Sequence, residues 1–403
     1  MSQLDAQAQK ELKTIKKRYA TRLSIIRFVQ SLLFKPAPSP QAKAKPGAGK
    51  LKIAVHRVGA FGDSVVALPA IAILRQHYPD AHIDLYSTHA VGVSIRQLMA
   101  EEDVVDNIFV FSKDERQKAL VQIKQNAYDL YVEIPQNLNL YKTLRNMLFV
   151  RLSAKIPSAF GWDAGRIKKH LALQKAHMNI PREVDRFVAN LAEQGIKGKI
   201  AYPLAHTDVE RMKVAELLKP IPLNGERKRF GLLVGGKLQA KKWPLDNWAE
   251  LAKCLGQEGD VYIIGGPDER EEADQIVSLA PHAVNLCGET SILETAALLE
   301  ALDLVVSQDT GAMHLAYAVG TPLVALFSTR DLSNKWHPPA ASSVVLERVL
   351  SCSFCFKHDC EDNICMTGIS VDDVLSARQE LNVKLAQQAQ VKNIQRQQER
   401  PNG

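Results

Sequence analysis

Apolar and polar positions along the chain fall into two stretches of repeating strand–helix pattern, with a less regular interval between them. The first begins at Leu51 with the apolar run "LKIAVHR". A Gly-containing turn, "VGAFGDS", leads into the helical pattern "VVALPAIAILRQHY", and "AHIDLYS", "NIFVF" and "YDLYVEI" follow as strands, with a helix over 115–126. Between about 160 and 228 the pattern loosens, and "KPIPLNGERKR" reads as a linker. The alternation then restarts: "FGLLVGG" is a strand, "PLDNWAELAKCLGQ" a helix, "DVYIIGG" a strand and "DEREEADQIVSLA" a helix. "TSILETAALLEAL", "DLVVS", "GAMHLAYAVG" and "PLVALF" continue it as helix, strand, helix and strand. Strands that are apolar throughout and alternate with helices predict parallel sheets covered on both faces. Two such runs predict an α/β protein with two Rossmann-like domains facing a cleft.

The two ends of the chain follow other rules. In residues 10–34, Leu12, Ile15, Tyr19, Leu23, Ile26, Val29 and Leu33 recur every three or four positions, the spacing of an amphipathic helix. Lys13, Lys17, Arg18 and Arg22 largely lie off that stripe. "KPAPSPQAKAKPGAGK" should be an extended linker. The polar, Gln-rich C-terminus reads as a helix that frays. The expected domains are thus 1–50, helix and linker; 51–220 and 221–370, the two α/β domains; and 371–403, helix and tail.

Charge changes this picture at one place. The net charge is +7, but residues 1–50 hold eleven cations against Asp5 and Glu11, leaving the body slightly acidic. A near-neutral body argues against nucleic acid as a partner. A basic amphipathic helix on a tether suits an anionic membrane surface, and packing on the protein itself would use the same stripe. No apolar run is long enough to span a bilayer, and the N-terminus lacks the pattern of a secretory signal. A cytoplasmic protein is the resulting expectation.

Four polar clusters fall at strand ends, where open parallel sheets bind ligands. "RVGAFGD" places Asp63 at a helix start behind two glycines; it lacks the third glycine of a dinucleotide fingerprint, which counts against a nicotinamide oxidoreductase. "GGKLQAKKWP" puts Lys241 and Lys242 on a loop after a strand, where an ammonium can neutralise phosphate. "IIGGPDERE" sets Glu269 where a carboxylate can accept from ribose hydroxyls. "SQDTGAMH" brings Asp309, Thr310, Gly311 and His314 to a strand–helix junction, and a helix starting near Gly311 would offer amides to an anion. Each cluster also has a plain reading, as a helix cap or a solvated charge. Cys352, Cys355, Cys360 and Cys365 could bind a structural zinc, but their C-x2-C-x4-C-x4-C spacing is not that of a zinc ribbon. Reduced thiols packing a loop are favoured.

Over residues 51–370 these motifs resemble glycosyltransferase family 9, the ADP-heptose:lipopolysaccharide heptosyltransferases of the GT-B fold. The resemblance rests on Arg57, Gly62–Asp63 and Pro69, on Lys241 two residues before Trp243-Pro244, on Glu269 in "GGPDE", and on an intact D-T-G-x-x-H at Asp309–His314. The cysteine segment also looks like that of some members. The family likeness implies an inverting, metal-independent transfer of heptose from ADP-heptose to a lipopolysaccharide core or other glycolipid acceptor, with no cofactor. It implies Asp63 as general base, and Lys241 and the Thr310–Gly311 amides as stabilisers of the leaving ADP. Glu269, Asp309 and His314 would complete the donor site, and Arg57 and Gly62 the acceptor site. Arg145, Arg151 and Lys155 are candidates for acceptor phosphates. The N-terminal extension and Ser328-Thr329-Arg330, where the family commonly has Gly-Pro-Thr, depart from the pattern. A non-catalytic nucleotide-sugar or glycan-binding protein of envelope assembly is the rival reading.

Overall fold

A computed structural model of the protein describes residues 6–40, 49–88, 95–99, 104–112, 114–135, 140–162, 180–218 and 227–398. The chain divides into two compact units, Met1–Ala205 and His206–Gly403. The Pro-rich segment read as the linker lies largely outside the described residues, and the division falls ahead of it. The reason is helix α6 (Asp208–Leu217), whose Lys213 and Arg211 pair with Glu294 and Glu300 of the second unit.

The first unit opens with helix α1 (Ala6–Leu33) and then builds a parallel five-stranded sheet in the order β3-β2-β1-β4-β5. Its strands are β1 (Lys52–Arg57), β2 (His82–Thr88), β3 (Asn107–Phe111), β4 (Leu130–Ile134) and β5 (Ser158–Phe160). Its helices are α2 (Phe61–His77), α3 (Arg116–Gln125), α4 (Leu140–Leu148), continued by a π-turn at Phe149–Ser153, and α5 (Glu183–Glu193). Helix α2 is buried continuously from Gly62 to Leu74, which accounts for its lack of a polar face.

The second unit repeats the plan with six parallel strands in the order β11-β10-β9-β6-β7-β8. These are β6 (Lys228–Leu233), β7 (Gly259–Ile264), β8 (Val284–Asn285), β9 (Leu304–Gln308), β10 (Leu323–Phe327) and β11 (Ser343–Glu347). After α6 come α7 (Leu245–Gly256), α8 (Arg270–Leu279), α9 (Ile292–Glu300), α10 (Gly311–Ala318), the short α11 (Ile364–Thr367) and α12 (Val371–Gln398). The C-terminal helix does not stop early: α12 runs to Gln398, seated on the core by Val371, Val374, Ala377 and Leu381. Strand order reverses between β1 and β4 in one unit and between β6 and β9 in the other, so each unit has a switch point.

The N-terminal helix and linker depart from a free tether. Ile26 and Phe34 are buried in the first unit's core, with Val29 and Leu33 packed beside them. Phe34 stacks on Trp162 at 5.4 Å, the Lys35 amide donates to Pro157 O, and Tyr78 donates to Pro38 O. Among the described residues no helix is long and apolar enough to cross a membrane.

Candidate active site

At the first switch point β1 ends on Arg57 and the chain turns through Gly59 into α2. Asp63 is the third residue of that helix, not its cap; its carboxylate nonetheless accepts from the Ala60 amide at 2.7 Å. Gly59 is required there, because a Cβ would lie 2.5 Å from that of Asp63. Arg57 holds the other side: its guanidinium donates to Asp63 O at 2.6 Å and Ile134 O at 3.1 Å, with the Asp63 carboxylate 3.7 Å away. Phe187 of α5 lies against both Arg57 and Arg186, and Arg186 is paired with Glu183. Complete burial lowers the Arg57 pKa, opposed by the charges of Asp63 and Glu183. Arg57, expected at the acceptor site, is fully buried. Gly62 is likewise buried in the first turn of α2.

At the second switch point the loops after β6 and β9 are tied together. Lys241 forms an ion pair with Asp309, 68 positions along the chain, and Lys242 pairs with Glu272. Asp309 is therefore an ion-pair partner, and the capping role falls to Thr310, whose hydroxyl oxygen accepts from the Met313 amide at 3.3 Å as α10 begins at Gly311. Glu269, in the turn after β7, accepts from the Gly266 amide at 2.7 Å and lies against Gly235 and Gly265. A side chain at either glycine would crowd it, so the two glycines at strand ends admit the carboxylate. His314, expected at the donor site, is buried; its Nδ1 lies 3.0 Å from the Tyr317 hydroxyl, and its ring meets Trp336 edge-on.

Comparison with known proteins follows the same lines. Residues 116–364 match the model of glycosyltransferase family 9 (heptosyltransferase), which is more than half of the chain. The chain belongs to glycosyltransferase family 9. It is 25% identical over 309 residues to lipooligosaccharide heptosyltransferase 2 of Haemophilus influenzae, covering 72% of this chain and 86% of that one. In structure it is similar to a family 9 glycosyltransferase of Veillonella parvula, with a TM-score of 0.65, 18% identity, and coverage of 83% of this chain and 98% of that one. It is also similar to ADP-heptose lps heptosyltransferase II of Escherichia coli, with a TM-score of 0.57, 23% identity, and coverage of 84% and 100%. The GT-B fold expected from the resemblance holds, as two Rossmann-like units.

Within this family 9 chain, the residues that sequence reading missed are those that link loops. Gln308, fully buried at the end of β9, donates to Gly235 O at 2.9 Å and accepts from the Trp243 amide at 2.8 Å, locking the Lys241 loop to the Asp309 loop. A polar residue closing the apolar strand "LVVSQ" was its one signal. Glu133 of β4, also buried, lies 3.0 Å from His56 Nδ1 and accepts from Tyr131 at 2.5 Å.

The departures from the family pattern also find a structural use. Arg330 is buried and donates to the carbonyls of Phe356 and Lys357, Thr329 O accepts from Phe354, and Ser328 Oγ lies 3.3 Å from Cys365 Sγ. The cysteine segment in turn braces the lysine loop, through Ala240 N to His358 O at 3.0 Å and Asn363 Nδ2 to Lys242 O at 2.9 Å. All six cysteines are free thiols, and among the described residues no group of three or more His, Cys, Asp or Glu is arranged to hold a metal. Burial, with the neighbouring Cys365, Cys355 and Cys360, raises the Cys352 thiol.

Proposed function

We propose that this protein is an inverting heptosyltransferase that moves a heptose from ADP-heptose to the core sugars of a lipopolysaccharide acceptor. Asp63 takes the proton of an acceptor hydroxyl as that oxygen bonds to the anomeric carbon. The bond from that carbon to the diphosphate breaks on the opposite face, and ADP leaves with the electron pair. Lys241 and the first-turn amides of α10, with the Thr310 hydroxyl, stabilise the charge that grows on ADP. Asp309 orients the Lys241 ammonium, and Glu269 accepts from the nucleoside hydroxyls. Protein groups carry the leaving-group charge, so the transfer is metal-independent. Arg57 fixes Asp63 and does not touch substrate. The enzyme works at the inner face of the cytoplasmic membrane, where a lipid-borne acceptor is presented.

The observation that carries this reading is the Lys241–Asp309 ion pair, which joins two distant loops beside the start of α10 at a switch point. Its test is a pair of variants followed by calorimetry with nucleotides and by transfer assay. Asp63→Asn should lose about two to four orders of magnitude in kcat, the usual worth of a general base, with ADP affinity unchanged. Lys241→Ala should weaken ADP about tenfold or more and leave UDP and GDP as poor ligands. Unaltered turnover in the Asp63 variant, or unaltered ADP affinity in the Lys241 variant, would refute the corresponding role.

A further inference from the structure

The stripe of α1 that the sequence marks as amphipathic is largely spent on the protein itself, since Ile26, Val29, Leu33 and Phe34 pack into the first unit's core. A second stripe is left outside. Ile25, Phe28 and Leu32, spaced three and four apart, are 39%, 63% and 69% exposed. The helical repeat carries this row toward the N-terminus through Thr21, Arg18, Lys17 and Thr14, all exposed. From Lys13 to Leu33 the helix holds six cations and no acid. Helix α4, which packs beside α1, also leaves Tyr141 and Leu148 exposed, as does its π-turn at Leu152, with Arg145 stacked over Tyr141.

Scattered exposed apolar side chains are ordinary, but rows of them on two adjacent helices mark a surface that meets something apolar. A row that changes from cationic to apolar along one helix face matches the chemistry of an anionic bilayer: headgroup phosphates above, acyl chains beneath. A protein partner of acidic surface would satisfy the cations and leave Phe28 and Leu32 in water.

We propose that the outward face of α1 is a membrane-docking surface for anionic phospholipid, in which Ile25, Phe28 and Leu32 enter the acyl boundary while Lys17 and Arg18 meet headgroup phosphates. The inference rests on the membrane location given under the proposed function but needs neither donor nor acceptor, so the two stand or fall separately. Deleting the helix is a poor test, because Ile26 and Phe34 would leave the core. The informative variant is full-length Phe28→Glu/Leu32→Glu, compared with wild type by flotation on vesicles of phosphatidylcholine alone and of phosphatidylcholine with phosphatidylglycerol. Wild type should bind the anionic vesicles, less so as salt rises, and the variant should bind about tenfold or more weakly. Thermal unfolding and ADP affinity should match wild type, separating lost docking from lost folding. Equal vesicle binding by the two proteins, or none by wild type, overturns the proposal. So does a wild-type dimer that the variant converts to monomer with vesicle binding unaltered, which would assign the face to a second copy of the chain.

Discussion

The two switch points solve different problems with the same fold. After β1, one carboxylate accepts from the Ala60 amide, lies 3.7 Å from the Arg57 guanidinium and is almost sealed from solvent. After β6 and β9, charge is brought together from loops 68 positions apart and remains partly open. The base role proposed for Asp63 calls for one orientation and few competing waters, which a short local frame supplies. The anion site proposed here calls for several donors converging on one place, which requires more than one strand end. The first frame is therefore local and buried, and the second draws on loops far apart in the chain.

That contrast can be tested by removing the supports. Arg57→Met has the largest expected effect. It leaves the Asp63 and Ile134 carbonyls without this donor and removes the cation 3.7 Å from the Asp63 carboxylate. A loss of about 3–5 kcal/mol in chemical denaturation is expected, the usual cost of breaking a buried charge pair. Turnover should fall in the folded fraction while ADP affinity holds. A variant that loses ADP affinity instead would break the separation of the two sites.

Gln308→Ala should do the converse at smaller cost. Losing its bonds to Gly235 and Trp243 should destabilise by about 1–3 kcal/mol. Calorimetry should show ADP affinity reduced several-fold, with the acceptor KM unchanged. Unchanged ADP binding would mean that the Lys241 loop keeps its place without the tie to β9.

The weakest lever is pH. Arg211 holds Glu300 below the usual carboxylate range against the opposing effect of burial, with His206 adding to the depression. A depressed folded pKa means that the pair's contribution is present above the unfolded carboxylate pKa and is lost as pH falls through the folded value. Half-exposed pairs are screened, so Glu300→Gln should differ from wild type by under about 1 kcal/mol at neutral pH. Urea midpoints of the two proteins should converge in acid. A difference that persists there would trace the effect to packing of α6 on α9.

What could be read in advance follows a physical division. The inner strands of both sheets were legible because stretches such as "LKIAVHR", "FGLLVGG" and "PLVALF" are apolar on both faces, as buried parallel strands must be, whereas the edge strands β5, β8 and β11 were not read. The placement of Asp63, Lys241 and the Asp309–Gly311 junction after strand ends was legible because such sheets put polar residues there. Helices α4, α5 and α6 were missed, since each sits in or beside an irregular interval and owes its place to packing. Arg57 was given to the acceptor site by the family likeness, and only the structure shows that its guanidinium is buried.

By itself, then, the sequence determined the α/β plan, the two strand–turn–helix halves and the residue types at their ends, all of which arise from local periodicity and short-range turn chemistry. Only the tertiary structure decided that Asp309 pairs with Lys241 instead of capping a helix, that His314 faces inward, and which stripe of α1 is spent on the core. Those outcomes depend on contacts between positions far apart in the chain. A periodic pattern names the faces a helix has, and the partner that packs against it selects which face is buried.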